Sequence, residues 1–68
     1  MKVLIQDDRS KKYFTAAGEW VDEAREAVDF ESHRNAWAAA REARIGEFNI
    51  MLYSAIGRYL FRVDHGTS

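Results

Sequence analysis

The chain has 68 residues, no cysteine and a formal net charge of −1. This length fits one small domain, and without cysteine the domain has neither disulfide bridges nor a thiolate metal site. The near-neutral charge removes the simplest argument for nucleic acid or an anionic membrane as the partner. We expect a single domain over residues 1–63, followed by a polar carboxyl-terminal tail over residues 64–68.

The first third of the chain predicts three short strands. Residues 2–6 are aliphatic and β-branched, and they end at the turn-forming residues 7–10. Residues 12–15 and 19–21 carry aromatic side chains on either side of Gly18. Glycine takes a left-handed backbone conformation at little cost, so these two segments predict a hairpin with Gly18 in its turn.

The middle of the chain predicts one helix. Ser32 is suited to cap the amino terminus of a helix over residues 33–44, and Gly46 is expected to end it. The helix is rich in alanine and has one bulky apolar residue, Trp37, which we expect in the core. Before the helix, residues 19–31 are strongly acidic and are interpreted as a solvated segment, with Phe30 entering the core as an anchor.

The last third of the chain fits either a helix or two strands. A period of three and four residues runs through it, but residues 47–53 and 58–63 are rich in Phe, Ile, Tyr and Val, with Gly57 between them. We favour two strands, with Tyr59, Phe61 and Val63 on the face that the helix covers. The resulting fold class is α+β: a small antiparallel sheet of four to five strands with one helix on one face, in the order β-β-β-α-β-β.

Several short sequence patterns resemble those of a group of small uncharacterised bacterial proteins. The patterns are residues 1–7, Tyr13-Phe14, Gly18-Glu19-Trp20, Ala27-Val28-Asp29-Phe30 and Arg58-Tyr59. The resemblance covers nearly the whole chain. It implies the same order of elements and the strand interpretation of the last third, and it implies no activity and no site residues.

Chemical motifs are absent from the sequence. His33 and His65 are far apart and lack the spacing of a metal site, so we expect a surface residue and a tail residue. No serine lies in a nucleophile elbow, and the isolated glycines form no phosphate-binding loop. We therefore expect no enzyme, no catalytic residue, no metal and no cofactor.

The aromatic residues of the predicted hairpin have two interpretations. Trp20, at the Gly18 corner, together with Tyr13 and Phe14 could form a shelf for a small ligand. Cross-strand aromatic pairs are also the usual way in which a small sheet gains stability, and we favour this structural interpretation.

The sheet itself offers the strongest functional hypothesis. One helix covers one face, so the other face is expected to be open and to bind a partner. The predicted partner-binding residues are Met51, Tyr53, Arg58, Leu60 and Arg62. The expected function is protein interaction, through a homodimer or a small adaptor, and the alternative is binding of single-stranded nucleic acid on the same face. We expect a cytoplasmic protein without membrane contact, because no apolar run reaches the length of a membrane span.

Overall fold

The computed structural model describes residues 1–56 and 59–67, which form five strands and one α-helix. This confirms the α+β class and the order β-β-β-α-β-β. A short 3-10 helical turn, Ala24–Glu26, precedes the α-helix. The elements are β1 Lys2–Asp7, β2 Tyr13–Phe14, β3 Trp20–Val21, α1 His33–Glu42, β4 Glu47–Ser54 and β5 Tyr59–Thr67.

The five strands form one antiparallel sheet in the order β3-β2-β1-β4-β5. The first strand in the sequence is therefore the central strand of the sheet. Along β1 and β4, Leu4 faces Met51 and Ile5 faces Ile50. Because successive side chains on a strand point to opposite faces, this register divides the sheet into a face covered by α1 and a second face.

The helix-covered face contains the larger core cluster. Ile5, Phe48 and Ile50 are fully buried there, against Ala36 and Ala40 of α1. Alanines on the helix let it approach the sheet closely. The residues Val3, Phe14, Trp20, Phe30 and Trp37 are only partly buried and pack around this cluster.

The second face of the sheet is partly covered, so the prediction that it is open is wrong for its central strands. Leu4, Tyr13 and Met51 form a buried cluster with Ala27, and Ala24 packs against them. The segment after β3 therefore folds over this face. Sequence periodicity could not reveal this, because the segment is short, polar and without a regular pattern.

Side-chain contacts to β1 hold this covering segment in place. The Lys2 ammonium donates a hydrogen bond to the Arg25 carbonyl oxygen at 3.0 Å. The Val3 N–H donates to Asp29 Oδ1 at 2.9 Å, while the Phe30 N–H donates to the Val3 carbonyl oxygen at 2.9 Å. Asp29 belongs to the segment predicted to be solvated. Here Asp29 and Phe30 instead take the hydrogen bonds of Val3 that a neighbouring strand would otherwise make.

The amino-terminal end of α1 lies where the sequence predicts it, and the carboxyl-terminal end does not. The Ser32 hydroxyl accepts from the Asn35 N–H at 3.0 Å, which confirms the predicted cap. The helix ends at Glu42, earlier than predicted, and the left-handed residue is Arg44, with φ of 58°, rather than Gly46. Gly18, which was predicted to be left-handed, does have a positive φ, of 82°.

The prediction of a polar tail also needs correction, because residues 64–67 belong to the sheet. Residues 64–67 continue β5 and pair with β4, from Ile50 opposite Asp64 to Glu47 opposite Thr67. The polar side chains are compatible with a strand because β5 lies at the sheet edge. One extra residue, Val63, interrupts the pairing between Arg62 and Asp64 as a β-bulge.

Candidate functional site

The predicted partner-binding residues lie in different environments. Met51 is buried and Tyr53 packs partly buried against the same cluster, whereas Leu60 and Arg62 are exposed on β5. The fifth residue, Arg58, lies outside the described residues. Met51 faces Arg62 and Tyr53 faces Leu60 across the two strands, so the structure brings these four side chains to one face. Only the β5 half of that face is accessible.

The exposed apolar surface is concentrated on β5. Tyr59 is 66% exposed, Phe61 49%, Val63 46% and Leu60 39%. β4 is the only neighbour of β5 in the sheet formed by the described residues, so the other side of β5 is an unpaired strand edge. We call residues Tyr59 to Val63, with their outward backbone groups, the β5 edge.

Sequence reasoning identified only part of the β5 edge. Tyr59 and Phe61 do face the same side as Leu52, as predicted from their alternation. The helix was expected to cover them, but α1 packs mainly on β1 and β4 and leaves them exposed. Strand alternation indicates which face a residue is on, but it does not indicate how far a helix of ten residues reaches across a five-stranded sheet.

The predicted aromatic shelf does not form as one surface. Phe14 and Trp20 pair across β2 and β3, with ring centroids 5.1 Å apart, on the helix-covered side. Tyr13 is buried in the cluster on the opposite face. The three aromatic rings therefore stabilise two separate packing clusters, which supports the structural interpretation of the hairpin.

A second cluster of polar side chains joins α1 to β5. The Trp37 indole N–H donates to Asp64 Oδ2 at 2.9 Å, and His33 Nε2 lies 2.7 Å from the same oxygen. Hydrogen bonds from His33, from Trp37 and from the His65 backbone N–H hold the pKa of the Asp64 carboxyl below its usual value. The carboxylate is thus ionised at neutral pH and fixed against the helix.

A shallow groove lies over this cluster on the outer side of α1. Its lining residues are His33, Arg34, Trp37, Ala38, Arg41 and Asp64. His33 was expected to be a surface residue and His65 a residue of the tail. The missing information was the pairing of residues 64–67 with β4, which brings Asp64 under the helix.

A row of hydrogen-bonded polar side chains crosses the second face of the sheet. Gln6 Nε2 donates to the Tyr13 hydroxyl at 3.3 Å, and Asn49 Nδ2 donates to Gln6 Oε1 at 3.0 Å. Asn49 Oδ1 accepts from His65 Nδ1 at 2.8 Å. Asn49 Nδ2 also donates to Asp8, and this bond, with one from Lys11, holds the pKa of the Asp8 carboxyl below its usual value. The row links four strands and is interpreted as structural, because Gln6 and Asn49 are buried.

The described residues contain no group of three or more histidine, aspartate or glutamate side chains placed to hold a metal ion. Within the same residues, no helix has the length and apolar character that crossing a membrane requires. Comparison with known proteins finds no match to the chain among family profiles, curated proteins or solved structures.

Proposed function

We propose that this protein is an interaction domain that forms a homodimer through the β5 edge. The observation that carries the proposal is the row of exposed apolar side chains, Tyr59 to Phe61 and Val63, on an unpaired edge strand of nine residues. Such a strand is a ready template for pairing with another strand. Monomeric domains usually protect their edges with charges, prolines or short strands, and this segment has only Arg62.

A second copy of the chain is a suitable occupant because the β5 edge is self-complementary. A two-fold axis at Phe61 would pair the two Phe61 residues, place Tyr59 opposite Val63 of the second copy, and place Leu60 opposite its Arg62. Aromatic and aliphatic pairs of this kind stabilise adjacent strands by about 0.2 to 1 kcal/mol each. An axis at Arg62 would instead place two guanidinium groups together. Charge therefore favours the register centred on Phe61.

The bulge at Val63 limits the length of this pairing. The bulge reverses the alternation of side chains along β5. Arg62 therefore lies on the Met51 side of the sheet, while Asp64, two residues later, lies on the helix side. A second strand can pair with β5 from Tyr59 as far as Val63, but it cannot continue past the bulge in the same register. The interface is therefore small, and we expect a dimer that dissociates on dilution.

Sedimentation equilibrium between about 10 and 500 μM tests the proposal, because mass action then shifts the monomer–dimer balance. We expect an average mass that rises with concentration for the natural chain. Phe61→Lys should remove this rise, because it places two ammonium groups at the dimer axis. Ile56→Lys is the matched control: Ile56 is fully exposed and lies outside β5, so this variant should still dimerise.

Circular dichroism of both variants shows whether the fold is retained. A natural chain that remains monomeric over the whole range, or a folded Phe61→Lys variant that still dimerises, would overturn the proposal. A monomer that instead binds single-stranded oligonucleotides at low salt would favour the nucleic-acid alternative.

A further inference from the structure

The groove over Asp64 is lined by residues from one side of α1. Arg34, Trp37, Ala38 and Arg41 follow one another at spacings of three and four residues, so they lie on the same side of the helix. Ala38 is small and exposed, which leaves room between the two arginines. The side of the Trp37 ring forms an apolar wall at the centre of the groove.

The carboxylate of the groove, on Asp64, already has hydrogen-bond partners within the protein. Asp64 Oδ2 receives the Trp37 indole N–H and contacts His33 Nε2, and Asp64 Oδ1 accepts the His65 backbone N–H at 2.8 Å. His33 makes this contact through Nε2, which leaves its Nδ1 atom without a hydrogen bond in the described part of the chain. Asp64 thus acts as a fixed support for the indole and the imidazole.

The two arginines, in contrast, have no acidic partner. Among the described residues, the only basic and acidic side chains within ion-pair distance are Lys11 with Asp8 and His33 with Asp64. Arg34 and Arg41 are exposed and carry two positive charges at a site where the single carboxylate is already hydrogen-bonded. Guanidinium groups bind phosphate oxygens through paired hydrogen bonds, more specifically than a point charge does.

We propose that this groove binds a phosphate-bearing ligand between Arg34 and Arg41, against Trp37. The two Cα atoms are separated by about 10 Å along the helix axis, at 1.5 Å per residue. A ligand with two linked phosphate groups therefore fits both guanidinium groups better than a single phosphate does. None of the residues that line the groove belongs to the β5 edge, Tyr59 to Val63, so this site goes beyond the proposed dimer and does not depend on it.

The test uses inorganic phosphate and pyrophosphate as probes of the full-length, nitrogen-15-labelled protein. Two-dimensional NMR spectra are recorded during titration at constant ionic strength, with chloride as the balancing anion, because surface charges are screened by salt. We expect saturable shifts of the Trp37 indole N–H signal and of amides along α1, with pyrophosphate binding more tightly than phosphate. The Trp20 indole signal is an internal control, since Trp20 lies with Phe14 at the β3 edge of the sheet, opposite the β5 edge.

Charge-matched variants separate a site from general anion attraction. Arg34→Gln and Arg41→Gln should each weaken pyrophosphate binding by about tenfold or more, as expected for loss of a charge-assisted hydrogen bond. Arg25→Gln removes the same charge from the exposed turn before α1 and should bind as the natural chain does. Shifts that grow linearly without saturation, or equal weakening in all three variants, would overturn the proposal.

Discussion

At the residue scale, Gly66 lies where one aromatic ring of the sheet and one of the helix leave no room for a side chain. It lies in β5 opposite Phe48. A β-carbon built on Gly66 would lie 2.6 Å from the Trp37 ring and closer still to the ring of Phe48, distances that real side chains do not adopt. Glycine is therefore required here for space, rather than for an unusual backbone conformation.

We expect Gly66→Ala to lower the free energy of unfolding by about 1 to 3 kcal/mol, the usual cost of overpacking a well-packed site. The matched control is Gly46→Ala. A β-carbon at Gly46 has no neighbour within 4 Å, so this change should be neutral or stabilising by up to about 1 kcal/mol. Urea denaturation of both variants measures the difference. Equal midpoints for the two variants would show that the rings can move aside.

At the element scale, α1 ends in a motif that normally contains glycine. The Ile45 N–H donates to the Ala40 carbonyl oxygen at 3.0 Å, and the Arg44 N–H donates to the Arg41 carbonyl oxygen at 3.1 Å. These two bonds define a Schellman motif, in which the residue at the Arg44 position is left-handed. Arg44 adopts this conformation with φ of 58°, at a cost of about 1 to 2 kcal/mol.

Arg44→Gly should therefore stabilise the protein by about 0.5 to 1 kcal/mol, because the relief of backbone strain exceeds the entropy that glycine adds to the unfolded chain. Arg41→Gly is the control, since it removes the same charge inside the helix and should destabilise by about 1 kcal/mol. Thermal denaturation gives both values. Destabilisation by Arg44→Gly would show that the Arg44 side chain contributes more than its backbone strain costs.

The order of elements could be predicted from the sequence because it depends on local signals. The Ser32 cap, the left-handed Gly18 and the β-branched segments act within a few residues of where they stand. The end of α1 could not be predicted correctly, because glycine preference pointed to Gly46 while the bonds of Ile45 and Arg44 selected another residue. The position at which α1 ends is determined by the tertiary packing of Ile45, which is buried.

At the scale of the whole molecule, the extension of β5 through residues 64–67 connects this strand to the helix and to the core. Asp64 supports Trp37, His65 binds Asn49, and Gly66 admits the Phe48 ring. None of these contacts could be predicted from the sequence, because each partner lies far away in the chain. The same is true of the buried position of Met51, which depends on the segment folded over it.

A chain that ends at Val63 tests the importance of this extension. It would lose the strand opposite residues 47–50 and expose Phe48, which is fully buried. Because a domain of this size has a stability of only about 3 to 5 kcal/mol, we expect the shortened chain to be largely unfolded by circular dichroism. A cooperative unfolding transition with an unchanged midpoint would restore the original prediction of a polar tail that follows the domain.

The central position of β1 has a consequence for how the chain folds. β1 precedes the other four strands of the sheet in the chain, yet its longest pairing is with β4, from Lys2 opposite Tyr53 to Asp7 opposite Phe48. Closing this long loop costs entropy before any contact is gained, whereas β4 and β5 are neighbours in the chain. We therefore expect the β4–β5 hairpin to form early and β1 to insert late. Folding kinetics should accordingly give φ-values near zero for Leu4→Ala and clearly higher for Leu52→Ala, whereas high values at Leu4 would reverse that order.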